Sequence, residues 1–118
     1  MTIYKIKNGK VKEYEVNEVD DILKFEGEYL DGKRWNGKGY SDKKKDNVAY
    51  ELKNGNGYVK EYNLNNTLAF EGEYLNGQKS GYVKEYNKLG EIIFEGEYLN
   101  GQRNGKGKEY QYKNNFSE

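Results

Sequence analysis

The sequence predicts an all-β protein in which about five β-hairpins stack one on the next. The hexamer FEGEYL occurs at Phe25, Phe70 and Phe94, each time followed at once by Asp-Gly or Asn-Gly. Alternation of residue type with period two, closed by a turn former, is the signature of a half-buried strand entering a hairpin. The spacing repeats as well: Phe70 and Phe94 lie 24 residues apart, GYVKEYN recurs at Gly57 and Gly81 with the same offset, and Phe25 stands 45 residues before Phe70. Helical periodicity is absent, and fifteen glycines in 118 residues work against helix throughout.

In chain order the units read as residues 3–24, 25–47, 48–69, 70–93 and 94–118 of one domain, 1–118. The first carries IKNGKVKEY from Ile6 to Tyr14 and a longer linker, in which NEVDDILK is the one stretch that could form a helical turn. The second reads FEGEYLDGK and then WNGKGY, followed by SDKKKDN, read as a solvated linker because Asp42 and Asp46 flank its three lysines. The third is degenerate: VAYELKNGNG puts Tyr50 24 residues before Tyr74 but lacks the Glu-Gly-Glu segment. The fourth and fifth repeat FEGEYLNGQ and then GYVKEY or GKGKEY as the returning strand.

Charge fixes the expected register. Pairing Tyr74 with Tyr82 would set Glu71 against Glu85, and like charges directly across a strand pair are destabilising. Slipping by one residue sets Glu71 against Lys84 and Tyr74 against Gly81. One face then carries Phe70, Gly72, Tyr74, Gly81 and Val83, and the other Glu71, Glu73, Leu75, Tyr82, Lys84 and Tyr86. Rings lying over glycines between successive hairpins are expected to replace an aliphatic core, since only 34% of the chain is hydrophobic even with thirteen tyrosines counted.

FEGEYLDGKRWNGKGY, from Phe25 to Tyr40, and FEGEYLNGQRNGKGKEY, from Phe94 to Tyr110, resemble the MORN repeat family (membrane occupation and recognition nexus). Its unit reads roughly Tyr-x-Gly-x-Trp-x-x-Gly-x-x-x-Gly-x-Gly, and Tyr29 and Tyr98 stand where the family often has Trp. The unit at Phe70 departs by placing Val83 at a glycine position. The resemblance covers nearly the whole chain and implies an elongated, twisted antiparallel sheet of stacked hairpins. It also implies a role in phospholipid binding, scaffolding or dimerisation, or, as in bacterial variants, an antitoxin-like one.

Composition narrows the chemistry. Neither histidine nor cysteine is present, so Ser41, Ser80 and Ser117 lack a histidine base and no thiolate site can form. GKRWNGKG from Gly32 to Gly39 has the glycine and lysine spacing of a phosphate-binding loop, but Gly39 replaces the required Ser or Thr, which makes a hairpin turn the better reading. The glutamate pairs Glu26/Glu28, Glu71/Glu73 and Glu95/Glu97 could hold Ca²⁺, but Lys60, Lys84 and Lys108 recur on neighbouring strands and would neutralise them across the sheet. No enzymatic activity, cofactor or metal is therefore expected. Twenty cationic against twenty anionic side chains remove the field that nucleic acid requires, and no run of about 18 apolar residues suggests a membrane span. The chain reads as cytoplasmic.

What remains is surface. Tyr58, Tyr62, Tyr82 and Tyr86, with Lys84, supply stiff amphipathic contact area, and Trp35, placed in a hairpin loop beside Arg34, has the composition of a binding hot spot. The leading expectation is a non-catalytic module that presents this tyrosine-rich surface to another protein and neutralises it. A peripheral phospholipid scaffold is the alternative, and nucleic-acid binding or mimicry the third. Lysines in YKIK and KGKEY guard the edge strands, which leaves regulated pairing, as a homodimer or with a partner strand, open.

Overall fold

The computed structural model describes residues 7–16, 18–19, 21–41, 47–63 and 65–112. Among the described residues nine strands follow one another: β1 (Gly9–Val16), β2 (Asp21–Leu30), β3 (Lys33–Tyr40), β4 (Val48–Leu52), β5 (Gly57–Tyr62), β6 (Leu68–Leu75), β7 (Gln78–Tyr86), β8 (Ile92–Leu99) and β9 (Gln102–Glu109). Among the described residues no helix is long and apolar enough to cross a membrane. The helical turn considered at NEVDDILK is replaced by strand from Asp21 onward, because Ile22 and Leu23 are buried while pairing with Glu15 and Tyr14. The linker SDKKKDN lies largely outside the described residues, as do the residues before Lys7 that would open the first unit.

All pairings are antiparallel between strands consecutive in the chain, but they form two sheets where one was expected, β1-β2-β3-β4 and β5-β6-β7-β8-β9. The division falls in the degenerate unit. Between β4 and β5 the ladder shrinks to a single bridge, Lys53 with Asn56. In β2, β6 and β8 a glycine follows the buried aromatic by two residues, and Gly27, Gly72 and Gly96 face Gly37, Val83 and Gly107. At the same place β4 has Leu52, 1% exposed, and a Cβ built on Gly57 would already stand 3.2 Å from its Cδ2. A buried leucine thus stands in this hairpin where the others have glycine.

Four turns join the hairpins, Asp31-Gly32, Asn54-Gly55, Asn76-Gly77 and Asn100-Gly101. Each first residue has φ of 51–53° and each glycine 77–80°. Positive φ at both central positions is the type I′ turn, which matches strand twist and selects Asn-Gly or Asp-Gly. A row of backbone bonds also runs from each turn glycine back to the unit before it. Gly32 N donates to Lys7 O at 2.8 Å, Gly55 N to Trp35 O at 2.7 Å, Gly77 N to Gly55 O at 2.8 Å and Gly101 N to Lys79 O at 3.1 Å. Beside three of these bonds, Asp31 N, Asn54 N and Asn76 N donate to the Oδ1 of Asn8, Asn36 and Asn56.

The core is one face of the sheets. Val11, Phe25, Tyr50, Leu52, Val59, Phe70, Val83 and Phe94 form a continuous buried cluster, with Tyr29, Tyr74 and Tyr98 packed against it. Rings do lie over glycines, most of them on the returning strands: a Cβ on Gly39 would meet the Tyr50 ring at 1.9 Å, one on Gly37 would meet Phe25 at 2.7 Å, and one on Gly107, or on Gly96 of β8, would meet Phe94 at 2.9 Å. Gly72 instead receives the Val83 side chain. The radius of gyration is 15.4 Å, above the roughly 13.5 Å of a compact domain this long.

Candidate functional site

Alternation along each strand sorts the charged and aromatic side chains onto two faces. Glu71 faces Lys84 as the charge argument required, and Lys60 faces Glu71, Lys84 faces Glu95 and Glu95 faces Lys108. Tyr74, however, faces Lys79 and not Gly81, because a bulge between Gly72 and Glu73 shifts the register by two residues. Gly81, at φ 72°, is the residue that lets β7 bend there.

On the outer face each central glutamate is held by two tyrosines from the strands on either side. Tyr58 on β5 and Tyr86 on β7 donate to Glu71 at 3.2 and 2.6 Å. Tyr82 on β7 donates to Glu95 in a very short bond, and Tyr110, just past β9, donates to the other Glu95 oxygen at 2.6 Å. In the first sheet Tyr40 donates to Glu26 at 3.5 Å. Hydrogen bonds from Tyr110 and Tyr82 hold the Glu95 carboxyl below its usual range, and the same bond pushes the Tyr82 phenol up. Tyr86 is raised by burial and by its bond to Glu71. The phenols are thus fixed by their own sheet, while Tyr58 and Tyr82 remain 48% and 55% exposed. Tyr58, Tyr82, Lys84 and Tyr86 come together here.

The other three expected residues are placed elsewhere. Arg34 lies on the core face, opposite Tyr29, and its donors are taken up within the chain. Nε and Nη2 grip Glu13 on β1 at 2.9 and 2.7 Å, and Nη1 reaches Tyr50 at 2.9 Å and Glu61 on β5 at 2.8 Å. It therefore ties the two sheets across their division. Burial opposes the charge on Glu13, but the bonds to Arg34 outweigh it and hold its carboxyl below the ordinary range. Tyr62 belongs to the same joint, its carbonyl accepting from Lys24 Nζ at 3.1 Å. A cleft of about 370 Å³ between the sheets is lined by Glu13, Lys24, Arg34, Tyr50, Glu61 and Tyr62.

Trp35 is not in a hairpin loop. The turn is complete at Gly32, so Trp35 falls within β3 as the extra residue of a bulge, between Arg34 opposite Tyr29 and Asn36 opposite Glu28. Half-buried, its ring covers Gly55 of the next turn, where an added Cβ would meet Cζ3 at 2.8 Å. The motif from Gly32 to Gly39 is likewise the end of a turn and an extended strand that runs on to Tyr40.

A second row of residues went unread in the sequence. Nine positions after each core phenylalanine stands a cation over its ring: Arg34 over Phe25 at 5.3 Å, Lys79 over Phe70 at 4.4 Å and Arg103 over Phe94 at 3.9 Å. Glutamates 24 residues apart complete the row on this face. Glu85 receives Arg103 at 2.8 Å, Lys79 at 3.7 Å and the Tyr98 hydroxyl at 2.7 Å. The recurring Phe-to-cation interval was the available signal. No family model matches the chain, and neither a curated protein nor a solved structure matches it significantly.

Proposed function

We propose that this chain is a non-catalytic binding module of stacked MORN-type hairpins that presents its outer tyrosine face to another protein and restrains that protein by occupying it. The observation that carries this reading is the pair of tyrosine clamps on Glu71 and Glu95. A tyrosine whose hydroxyl is already bonded has little side-chain freedom left to lose on docking, so its ring offers apolar area at low entropic cost. Lys60 and Lys84 interleave with the rings, and Lys84 is flanked by Glu71 and Glu95 across the sheet. Their charges give a docking partner orientation more than raw attraction.

The balance of twenty cations and twenty anions favours this over a lipid scaffold, because attraction to an anionic leaflet depends on excess positive charge. The test is a triple variant, Tyr58→Ser, Tyr82→Ser and Tyr86→Ser, compared with the native chain in affinity capture from the native cell with quantitative mass spectrometry and in flotation with phosphatidylserine vesicles. The reading expects an unchanged β circular-dichroism spectrum, one or more proteins lost from the variant's capture, and no flotation of either chain. Equal capture by both chains, or flotation that depends on the three tyrosines, would remove it.

A further inference from the structure

The strand that closes the second sheet repeats the receiving half of every internal joint. Strands β1, β3, β5 and β7 each set a lysine against a glutamate of the strand that follows: Lys12 against Glu26, Lys38 against Glu51, Lys60 against Glu71 and Lys84 against Glu95. One step along, Lys10 meets Glu28, Tyr58 meets Glu73 and Tyr82 meets Glu97. β9 is the fifth strand of this kind, carrying Lys106 and Lys108 at the same places. Among the described strands it pairs with β8 alone, and all eight of its residues are exposed.

The row of turn bonds continues to the same edge. Lys7 O, Trp35 O, Gly55 O and Lys79 O each accept from the glycine of the next turn, and Arg103 O is the next position in that series. Asn104 stands where Asn8, Asn36 and Asn56 offer Oδ1 to the next turn, and no described residue bonds its side chain. Backbone edge, lysine pair and turn acceptors are thus all displayed together.

We propose that the open edge of β9 is a strand-addition site for an extended acidic segment of a partner protein, of the form aromatic-Glu-Gly-Glu-aromatic followed by an Asn-Gly or Asp-Gly turn. Main-chain bonds supply affinity in such an addition, and the side chains that fall opposite one another supply selection. A second copy of this chain is a poor occupant. Antiparallel pairing of β9 with itself about a two-fold axis keeps each face continuous, so Lys106 and Lys108 meet lysines in the central registers, and β1 brings Lys10 and Lys12 to the same positions. Like charges directly opposite are destabilising. The lysines that block self-pairing are the ones that select a glutamate strand.

The probe is a fluorescein-labelled peptide with the sequence of residues 92–101, IIFEGEYLNG, titrated by anisotropy into the full chain. A second peptide carries Glu95→Lys and Glu97→Lys. The site predicts saturable binding of the first peptide, binding of the second weaker by about 10-fold, and amide shift changes centred on Gly105 to Lys108. Lys106 lies in the bulge, with no residue of β8 directly opposite it, which makes Lys106→Glu a variant whose fold, checked by its circular-dichroism spectrum, should stay native. In it the preference between the two peptides should narrow or invert. Binding indifferent to charge, shift changes centred away from β9, absence of binding by the natively folded chain, or a dimer in sedimentation that Lys106→Glu abolishes would each overturn the proposal. Peptide binding should survive serine at Tyr58, Tyr82 and Tyr86, which keeps this site's fate separate from that of the tyrosine face.

Discussion

Arg34 shows how a single side chain can hold two sheets together. It bridges Glu13 and Glu61 across the division, lies over Phe25 and bonds Tyr50. Arg34→Ala leaves two half-buried carboxylates without their cation, and a loss of about 2–3 kcal/mol is expected by urea denaturation, below the cost of breaking a fully buried pair. Arg34→Lys should recover little, since one ammonium cannot reproduce the fork that grips Glu13. Gly39 is equally constrained: Gly39→Ala puts a Cβ into the Tyr50 ring, and a loss of about 1–3 kcal/mol is expected from overpacking. Tyr50→Leu in the same chain should return some of it, which double-mutant denaturation can measure. Neither position was legible in the sequence. Arg34 beside Trp35 reads as an exposed hot spot because its two carboxylate partners lie 21 and 27 residues away, and nothing local reveals them.

Among elements, the type I′ turns do two jobs. They reverse the chain, and each turn glycine bonds back to a carbonyl of the preceding unit, so each hairpin is positioned by its neighbour. Asn56→Ala removes the Oδ1 that accepts from Asn76 N at 2.9 Å while leaving the Gly77 bond in place. A loss of about 1 kcal/mol is expected, read as an earlier urea midpoint with an unchanged slope. The turns themselves were plain in the sequence as Asn-Gly and Asp-Gly after FEGEYL. Their stacking was not, because a hydrogen bond from a turn to the unit before it leaves no periodicity of its own beyond the Asn-Gly pairs that already mark the returning strands. The bulge at Gly81 escaped for a related reason: charge pairing fixes Glu71 against Lys84, but it carries no information about an extra residue further along the strand.

For the molecule as a whole, strands make substantial contact only with those next to them in the chain, so stability should be close to a sum of neighbouring terms. The tyrosines give it an alkaline limit. Burial, and then the carboxylates of Glu13 and Glu61 respectively, push Tyr29 and Tyr74 up to about 12. The folded chain holds these protons more tightly than the unfolded chain, whose tyrosines titrate near 10. Stability from this source is therefore full below about pH 10 and is lost as pH rises toward about 12. The melting temperature should fall across that window, and Tyr29→Phe with Tyr74→Phe should flatten the decline.

Repetition and alternation in the sequence by themselves determined the strands, the turns, the two faces and the lysine-glutamate ladder, because each is encoded within one hairpin or its immediate neighbour. Tertiary structure alone decided where the sheet divides, which glycines the rings cover, and that Arg34 faces inward. Those outcomes depend on side chains that only the folded chain brings together, as when Arg34 reaches carboxylates 21 and 27 residues away and rings settle over glycines of a neighbouring strand.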